Sequence, residues 1–90
     1  MYESIALRLR LSPQELERES LRLFLSQQLR LIESQLLGLA RRYDVRTVTE
    51  LDDLVQSGQI HEAEAFEDYF EFDHLEAERD ALLASLKELA

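Results

Sequence analysis

The sequence contains an unbroken stretch of about thirty residues with one wide uncharged face, and few folds can accommodate it. Ser12, Pro13 and Glu15 form a strong helix start, since serine caps the backbone, proline suits the first helical position and glutamate completes a capping box. No proline follows before Tyr43, so the sequence predicts an α-helix over about 13–43. At 1.5 Å per residue it would be roughly 45 Å long, more than a 90-residue globule needs.

Two adjacent rows of uncharged residues follow this helix. The first has nearly the spacing of a coiled-coil seam and comprises Leu21, Leu25, Leu29, Ile32, Leu36, Leu39, Ala40 and Tyr43. The second comprises Phe24, Gln28, Leu31 and Gln35. Together they cover roughly 160° of the helix, more than one antiparallel neighbour can bury. We therefore predict a homodimer whose interface contains Phe24, Leu25, Leu31, Ile32, Leu36 and Gly38.

Two further helices are predicted from local capping signals. Thr47 and Glu50 form a second capping box, and Ser57-Gly58 provides a left-handed stop, which indicates a short connector helix over about 48–56. The rest of the chain lacks glycine and proline, which predicts a long helix over about 61–89. The predicted fold is all-α: residues 12–90 form one domain, a long antiparallel helical hairpin that pairs into a dimeric four-helix bundle.

Residues 1–11 carry a different pattern. Ile5, Leu7 and Leu9 alternate with polar or small residues, as in a strand with one apolar face. In a helical chain such a strand would pair with its equivalent in a second subunit, and a loosely helical arm is the alternative. On a paired ribbon Arg8 and Arg10 would point outward, so a DNA-binding regulator is an alternative function.

Composition excludes several functional classes. The chain has no cysteine and only two glycines, twenty residues apart, so disulfides, thiolate chemistry and glycine-rich phosphate loops are excluded. Serine and histidine do not form a nucleophile-and-base pattern, and we predict neither an enzyme nor a cofactor. The start lacks the features of a leader and no long apolar run occurs, so we expect a cytoplasmic protein without a membrane span.

Charge is divided unevenly along the chain. Residues 1–46 hold eight arginines and six acids, whereas residues 47–90 hold thirteen acids and two basic residues. The acidic half repels nucleic acid and attracts basic surfaces. Its densest part combines rings and carboxylates, and we predict a binding surface for a basic, partly apolar protein at Phe66, Glu67, Asp68, Tyr69, Phe70, Glu71 and Phe72. The alternative is that these rings fill the core.

A metal site is the second alternative function. Glu71 and His74 form a Glu-x-x-His motif, which places a carboxylate and an imidazole on one helix face, and a dimer would supply two copies.

Three stretches resemble small acidic helical proteins of bacteria and archaea. They are ERESLRLFLSQQLRL (residues 17–31), RYDVRTVTELDDL (42–54) and GQIHEAEAFEDYFEFDHLEAERDALL (58–83). Some proteins of this kind are described as antitoxin-like because they are encoded beside a possible toxin. The resemblance implies a basic partner protein, encoded nearby, that an acidic helical protein neutralises.

Overall fold

The computed structural model describes residues 1–90 and is all-helical, with 84% of the residues in helices and no strand. Four helices follow one another: α1 (Tyr2–Leu9), α2 (Pro13–Tyr43), α3 (Val48–Gln56) and α4 (Glu62–Leu89). Helices α2 and α4 pack antiparallel as a hairpin, and the molecule is elongated, at 61 × 18 × 17 Å. No helix combines the length and the hydropathy of a membrane span.

Local capping sets the ends of the central helices. The Ser12 hydroxyl accepts a hydrogen bond from the Glu15 N–H at 3.0 Å, and Pro13 opens α2. The helix ends at Asp44, which adopts a left-handed conformation with φ of 53°. Helix α3 begins in the same way, since the Thr47 hydroxyl accepts from the Glu50 N–H at 3.2 Å. These interactions lie within four residues of sequence, which is why the sequence alone indicated them.

Of the two predictions for residues 1–11, the structure shows the helical arm and not the strand, because Tyr2–Leu9 form helix α1. A strand there would leave its backbone N–H and C=O groups without partners in this chain, whereas a helix satisfies them internally. Arg10 ends α1 in a left-handed conformation with φ of 60°, and Ala6 is buried. The sequence also contains a helical pattern that the alternation obscured, with Tyr2, Ile5, Ala6 and Leu9 on one face.

The core occupies one end of the hairpin, which we call the closed end, where α3 covers α2 and α4. Its eight buried residues are Leu36, Leu39, Val45, Val48, Leu51, Ala65, Phe72 and Leu75. The open end consists of α1, residues 13–31 of α2 and residues 78–89 of α4, and Ala6 is its only buried residue. The hairpin is therefore a packed three-helix unit that continues into a two-helix ribbon.

Candidate partner-binding site

The predicted acidic aromatic segment lies in the first half of α4, and its rings point in different directions. Phe72 is 1% exposed and belongs to the core, so it is not available to a partner. Phe66 and Phe70 are each 56% exposed, and Tyr69 is half-buried. Residues 66 and 70 are one helical turn apart and share a face, whereas residue 72 lies on another. The structure therefore divides the segment into one core ring and three rings at the surface.

The three surface rings form one edge-to-face cluster. The ring centroids of Phe66 and Phe70 are 5.0 Å apart with an interplanar angle of 74°. Those of Tyr69 and Phe70 are 5.6 Å apart at 90°. Edge-to-face pairs of this kind add about 0.5–1.5 kcal/mol beyond the burial of their surface. The cluster is thus held in place by contacts along α4 itself.

A pocket of about 180 Å³ lies between this cluster and α3. Five of its seven lining residues are apolar or aromatic, and the other two are carboxylates: Asp52 of α3 and Glu62 of α4. Neither carboxylate takes part in a salt bridge, and Asp52 accepts one hydrogen bond, from the Gln56 amide at 3.1 Å. The complete lining is Asp52, Val55, Glu62, Ala65, Phe66, Tyr69 and Phe70.

The three carboxylates that the sequence analysis assigned to the binding surface do not line this pocket. Glu67 and Glu71 are exposed but do not line the pocket. Asp68 is engaged within the chain, where its Oδ2 accepts a short hydrogen bond from the Tyr43 hydroxyl and one of 2.7 Å from Arg42. These bonds lower the pKa of Asp68, the Tyr43 bond most. Asp68 therefore ties α4 to the end of α2 and is not a free anion.

Tyr43 and Arg42 respond to the same contact. Burial raises the pKa of Tyr43, and its hydrogen bond to Asp68 raises it further. The hydrogen bond and charge of Asp68 likewise raise the pKa of Arg42. The neutral phenol of Tyr43 and the guanidinium of Arg42 thus both contact the carboxylate of Asp68. This arrangement stabilises the ionised form of the acid.

The residues predicted at a dimer interface fall into two groups. Leu36 is in the core, Ile32 packs against it and Leu25 is half-buried, so these side chains are largely used within the chain. Phe24 and Leu31 are 58% and 60% exposed, and Gly38 is also at the surface.

The Glu-x-x-His motif is exposed on α4. His74 lies 3.0 Å from Glu78, measured from its Nε2 to the Oε1 atom, and Glu71 is not part of this pair. No three histidine, aspartate or glutamate side chains are close enough to one another to hold a metal ion.

Arg8 and Arg10 are exposed on α1 and at its end. The ribbon that would present them to a groove of DNA is absent, because residues 2–9 are helical.

Sequence reasoning missed four pocket residues: Asp52, Val55, Glu62 and Ala65. A signal existed on each helix separately, since residues 62, 65, 66 and 69 share one face of α4 and residues 52 and 55 are one turn apart on α3. The sequence does not show that these two helix faces meet.

The fold and the pocket define a class of protein: an elongated all-helical hairpin with an acidic aromatic pocket. A family model described as the "Uncharacterized protein MJ0235 family" matches residues 1–90, and the chain belongs to that family. No curated protein and no solved structure matches the chain significantly.

Proposed function

We propose that this protein is a non-enzymatic, homodimeric interaction module whose pocket between α3 and α4 binds a basic side chain of a partner protein. The observation that carries the proposal is the pocket itself, where exposed rings and two carboxylates without basic partners stand together. Exposed aromatic rings in a formed depression are the usual anchors of protein interfaces, whereas scattered surface rings are not.

The chemistry of the pocket suits arginine or lysine. The aliphatic stem of either residue packs against apolar surface while its charged head stays at the rim. Here the stem would contact the rings of Phe66 and Phe70, and the cation would lie beside the carboxylates of Asp52 and Glu62. A cation over an aromatic face gains about 0.5–1 kcal/mol at an exposed site.

The size of the pocket favours a side chain over a free metabolite. Pockets that bind drug-sized molecules have volumes of about 300–1,000 Å³. At about 180 Å³ this pocket is smaller and is open on one side. One long side chain of a larger surface would fill it, while the acidic surface around it contacts the remainder of the partner.

Charge supports the same kind of partner. The half of the chain that contains the pocket holds thirteen acids and two basic residues. Such a field attracts a basic protein from solution and accelerates association, and added salt screens the effect. An antitoxin that occludes a basic toxin is one protein that works in this way. The antitoxin-like proteins that the chain resembles would fit that function.

The homodimer belongs to this proposal because the open end does not cover its own apolar side chains. Leu21, Leu23 and Phe24 are between 45% and 58% exposed there. Two hairpins packed side by side form a four-helix bundle, in which these residues gain neighbours. A dimer would also present two pockets, which raises the avidity for a partner with two basic sites.

The test is a pull-down with the immobilised full-length chain at low and at high salt, followed by calorimetry with the protein that is retained. The charge reversal Asp52→Lys/Glu62→Lys should abolish binding, and Phe66→Ala/Phe70→Ala should weaken it at both salts. The proposal is wrong if no protein is retained at either salt, or if the charge reversal binds as the wild type does.

A matched control separates the pocket from general charge. Asp53 and Glu64 are exposed acids on the same two helices, and neither lines the pocket. Asp53→Lys/Glu64→Lys makes the same change in net charge, so it should slow association at low salt but keep affinity at high salt. Equal losses for both charge reversals would show that the pocket has no specific role.

A further inference from the structure

Helix α2 carries an exposed row with the strict repeat of a coiled-coil seam. Alternating steps of three and four residues connect Leu21, Phe24, Gln28, Leu31, Gln35 and Gly38. All of these residues are exposed except Gln28, which is half-buried. The same steps lead to Glu17 before the row and to Arg42 after it. The six residues of the row are uncharged, and these two flanking residues carry opposite charges.

The total surface of the chain shows that this elongated molecule leaves more area uncovered than a compact monomer does. The accessible area is 7042 Å² for a mass of 10.6 kDa. A compact monomer of that mass exposes about 5,500 Å², so the excess is about 1,600 Å². A stable protein interface takes about 800 Å² from each partner. One copy of the same elongated chain can therefore bury a standard interface and still leave the acidic pocket free.

Gly38 has no explanation within one chain. It lies in the interior of α2, where glycine is less favourable than alanine. A Cβ atom added to it would meet nothing within 4 Å, and its backbone is helical, so neither crowding nor conformation requires glycine. Glycine at an exposed helix position does allow another helix to approach closely.

We infer that a second copy of this chain packs antiparallel along this row, so that the two α2 helices form the seam of the dimer. About a two-fold axis at the centre of the row, each position faces its counterpart from the other end. Leu21 then faces Gly38 of the second copy, Phe24 faces Gln35 and Gln28 faces Leu31. The inference rests on the proposed homodimer and adds its seam, direction and register.

Charge and size both select the antiparallel direction. Antiparallel helices place Glu17 of one copy opposite Arg42 of the other, whereas parallel helices would place each beside its own equivalent. Arg42 uses one Nη atom on Asp68 and has five N–H donors in all, so it can also reach a second carboxylate. Antiparallel packing also sets the large Leu21 against Gly38, where parallel packing would leave two glycines facing each other across a gap.

The absence of cysteine from the chain makes a clean cross-linking test available. We would prepare Phe24→Cys and Gln35→Cys separately, with tags of different mass, and oxidise each alone and both together. The antiparallel seam predicts a disulfide only in the mixture. Each variant alone should stay unlinked, because its two copies would be about 16 Å apart along the seam, far beyond the Cα separation of about 7 Å that a disulfide allows.

The control and the opposing outcomes are distinct. Phe24→Cys mixed with Ser34→Cys should not cross-link, since Ser34 lies on another face of α2. Cross-linking of either row variant alone would mean parallel helices and overturn the inference. A sedimenting dimer that gives no mixed disulfide would overturn the seam but leave the homodimer intact. A folded monomer at micromolar concentration would overturn both, and pocket binding would still be measurable by itself.

Gly38→Ala is the second, independent test. In one chain alone the added methyl meets nothing, so the helix should be at least as stable as before. At the proposed seam it meets Leu21 of the second copy and should raise the dimer dissociation constant about tenfold or more. Ser34→Ala is the matched control and should leave that constant unchanged. Unchanged dimerisation in Gly38→Ala would contradict the inference.

Discussion

The closed end and the open end of the hairpin share the same two long helices but bury very different amounts of them. At the closed end α3 covers the pair, and eight side chains are buried, with Leu51 and Phe72 almost fully so. At the open end α3 is absent, α1 contacts α2, and Ala6 of α1 is the only buried residue. A helix surrounded on one side can bury only a narrow stripe, so the third helix makes the difference.

The proposed partner-binding pocket and the proposed dimer seam lie at different places on the hairpin. The acidic aromatic pocket lies at the closed end, where α3 packs against α4. The open end has apolar side chains without neighbours, and the proposed seam follows them. The core that stabilises the chain lies at the closed end, whereas four of the six residues of the proposed seam, from Leu21 to Leu31, lie at the open end.

Replacing one phenylalanine at each end should give the greatest difference in the free energy of unfolding. Phe72→Ala removes a ring that is 1% exposed and should lower the free energy of unfolding by about 3–5 kcal/mol. Phe24→Ala removes a ring that is 58% exposed and should cost far less in dilute solution, below the concentration at which the proposed dimer would form. Urea unfolding followed by circular dichroism measures both, and equal losses would contradict the distinction between the ends.

Hydrogen exchange at two protein concentrations should show the ends responding differently to dilution. Dilution from about a hundred times the dimer dissociation constant to well below it removes up to about 2.7 kcal/mol of stabilisation. Amides in residues 13–31 and 78–89 should lose most protection, because most of the proposed seam lies on the open end, where α3 does not cover the helices. Amides around Leu51 and Phe72 should change least. A uniform loss along the chain would mean that the two ends unfold as one unit.

The contact of Asp68 with Tyr43 and Arg42 at the closed end should make the stability of the protein depend on pH. Tyr43→Phe deletes the hydrogen bond that lowers the pKa of Asp68 most, and it should lower the free energy of unfolding by about 1–2 kcal/mol at pH 7. Because folding lowers the pKa of Asp68 from 3.8, this stabilisation is full above that value and is lost as the pH falls through the lower folded pKa. Wild type and variant should therefore converge in acid. Tyr69→Phe, which removes a hydroxyl without a hydrogen-bond partner in this chain, should show no such convergence; a constant difference at all pH values would refute the assignment.

The smallest effects come from the two helix caps. Thr47→Ala removes the cap of α3 at the closed end and should lower global stability by about 1 kcal/mol. Ser12→Ala removes an equivalent cap at the open end, where it should fray the first turn of α2 with a smaller global effect. Chemical denaturation and exchange at Leu16 distinguish the two results. A larger global loss for Ser12→Ala would reverse our ranking of the ends.

Much of the helical fold could be read from the sequence because the signals are local. Ser12, Thr47 and Gly58 each act on backbone groups within a few residues, so their patterns have the same meaning in any tertiary setting. The error at Tyr2–Leu9 has a physical cause as well. In eight residues a period of two and a period of 3.6 overlap, and only the absence of a strand partner decides between them.

The candidate site was less accessible to sequence reasoning. The rings of Phe66 and Phe70 were identified from composition, but the pocket also needs Asp52 and Val55, which belong to a helix that the chain brings back over α4. The sequence does not distinguish Asp68 from the acids around it, yet Tyr43 and Arg42 donate hydrogen bonds to its carboxylate. Contacts between residues 25 or more positions apart depend on packing, and helical periodicity does not encode them.

The helical nature of the chain, the ends of its long helices and the strongly acidic second half all follow from the amino-acid sequence. Which apolar residues are covered depends on the packing of the helices, since α3 reaches one end of the hairpin and leaves the other open. The reason is geometric. Caps and charge are properties of neighbouring residues, whereas burial depends on how many helices surround a side chain, and that number is set by the path of the whole chain.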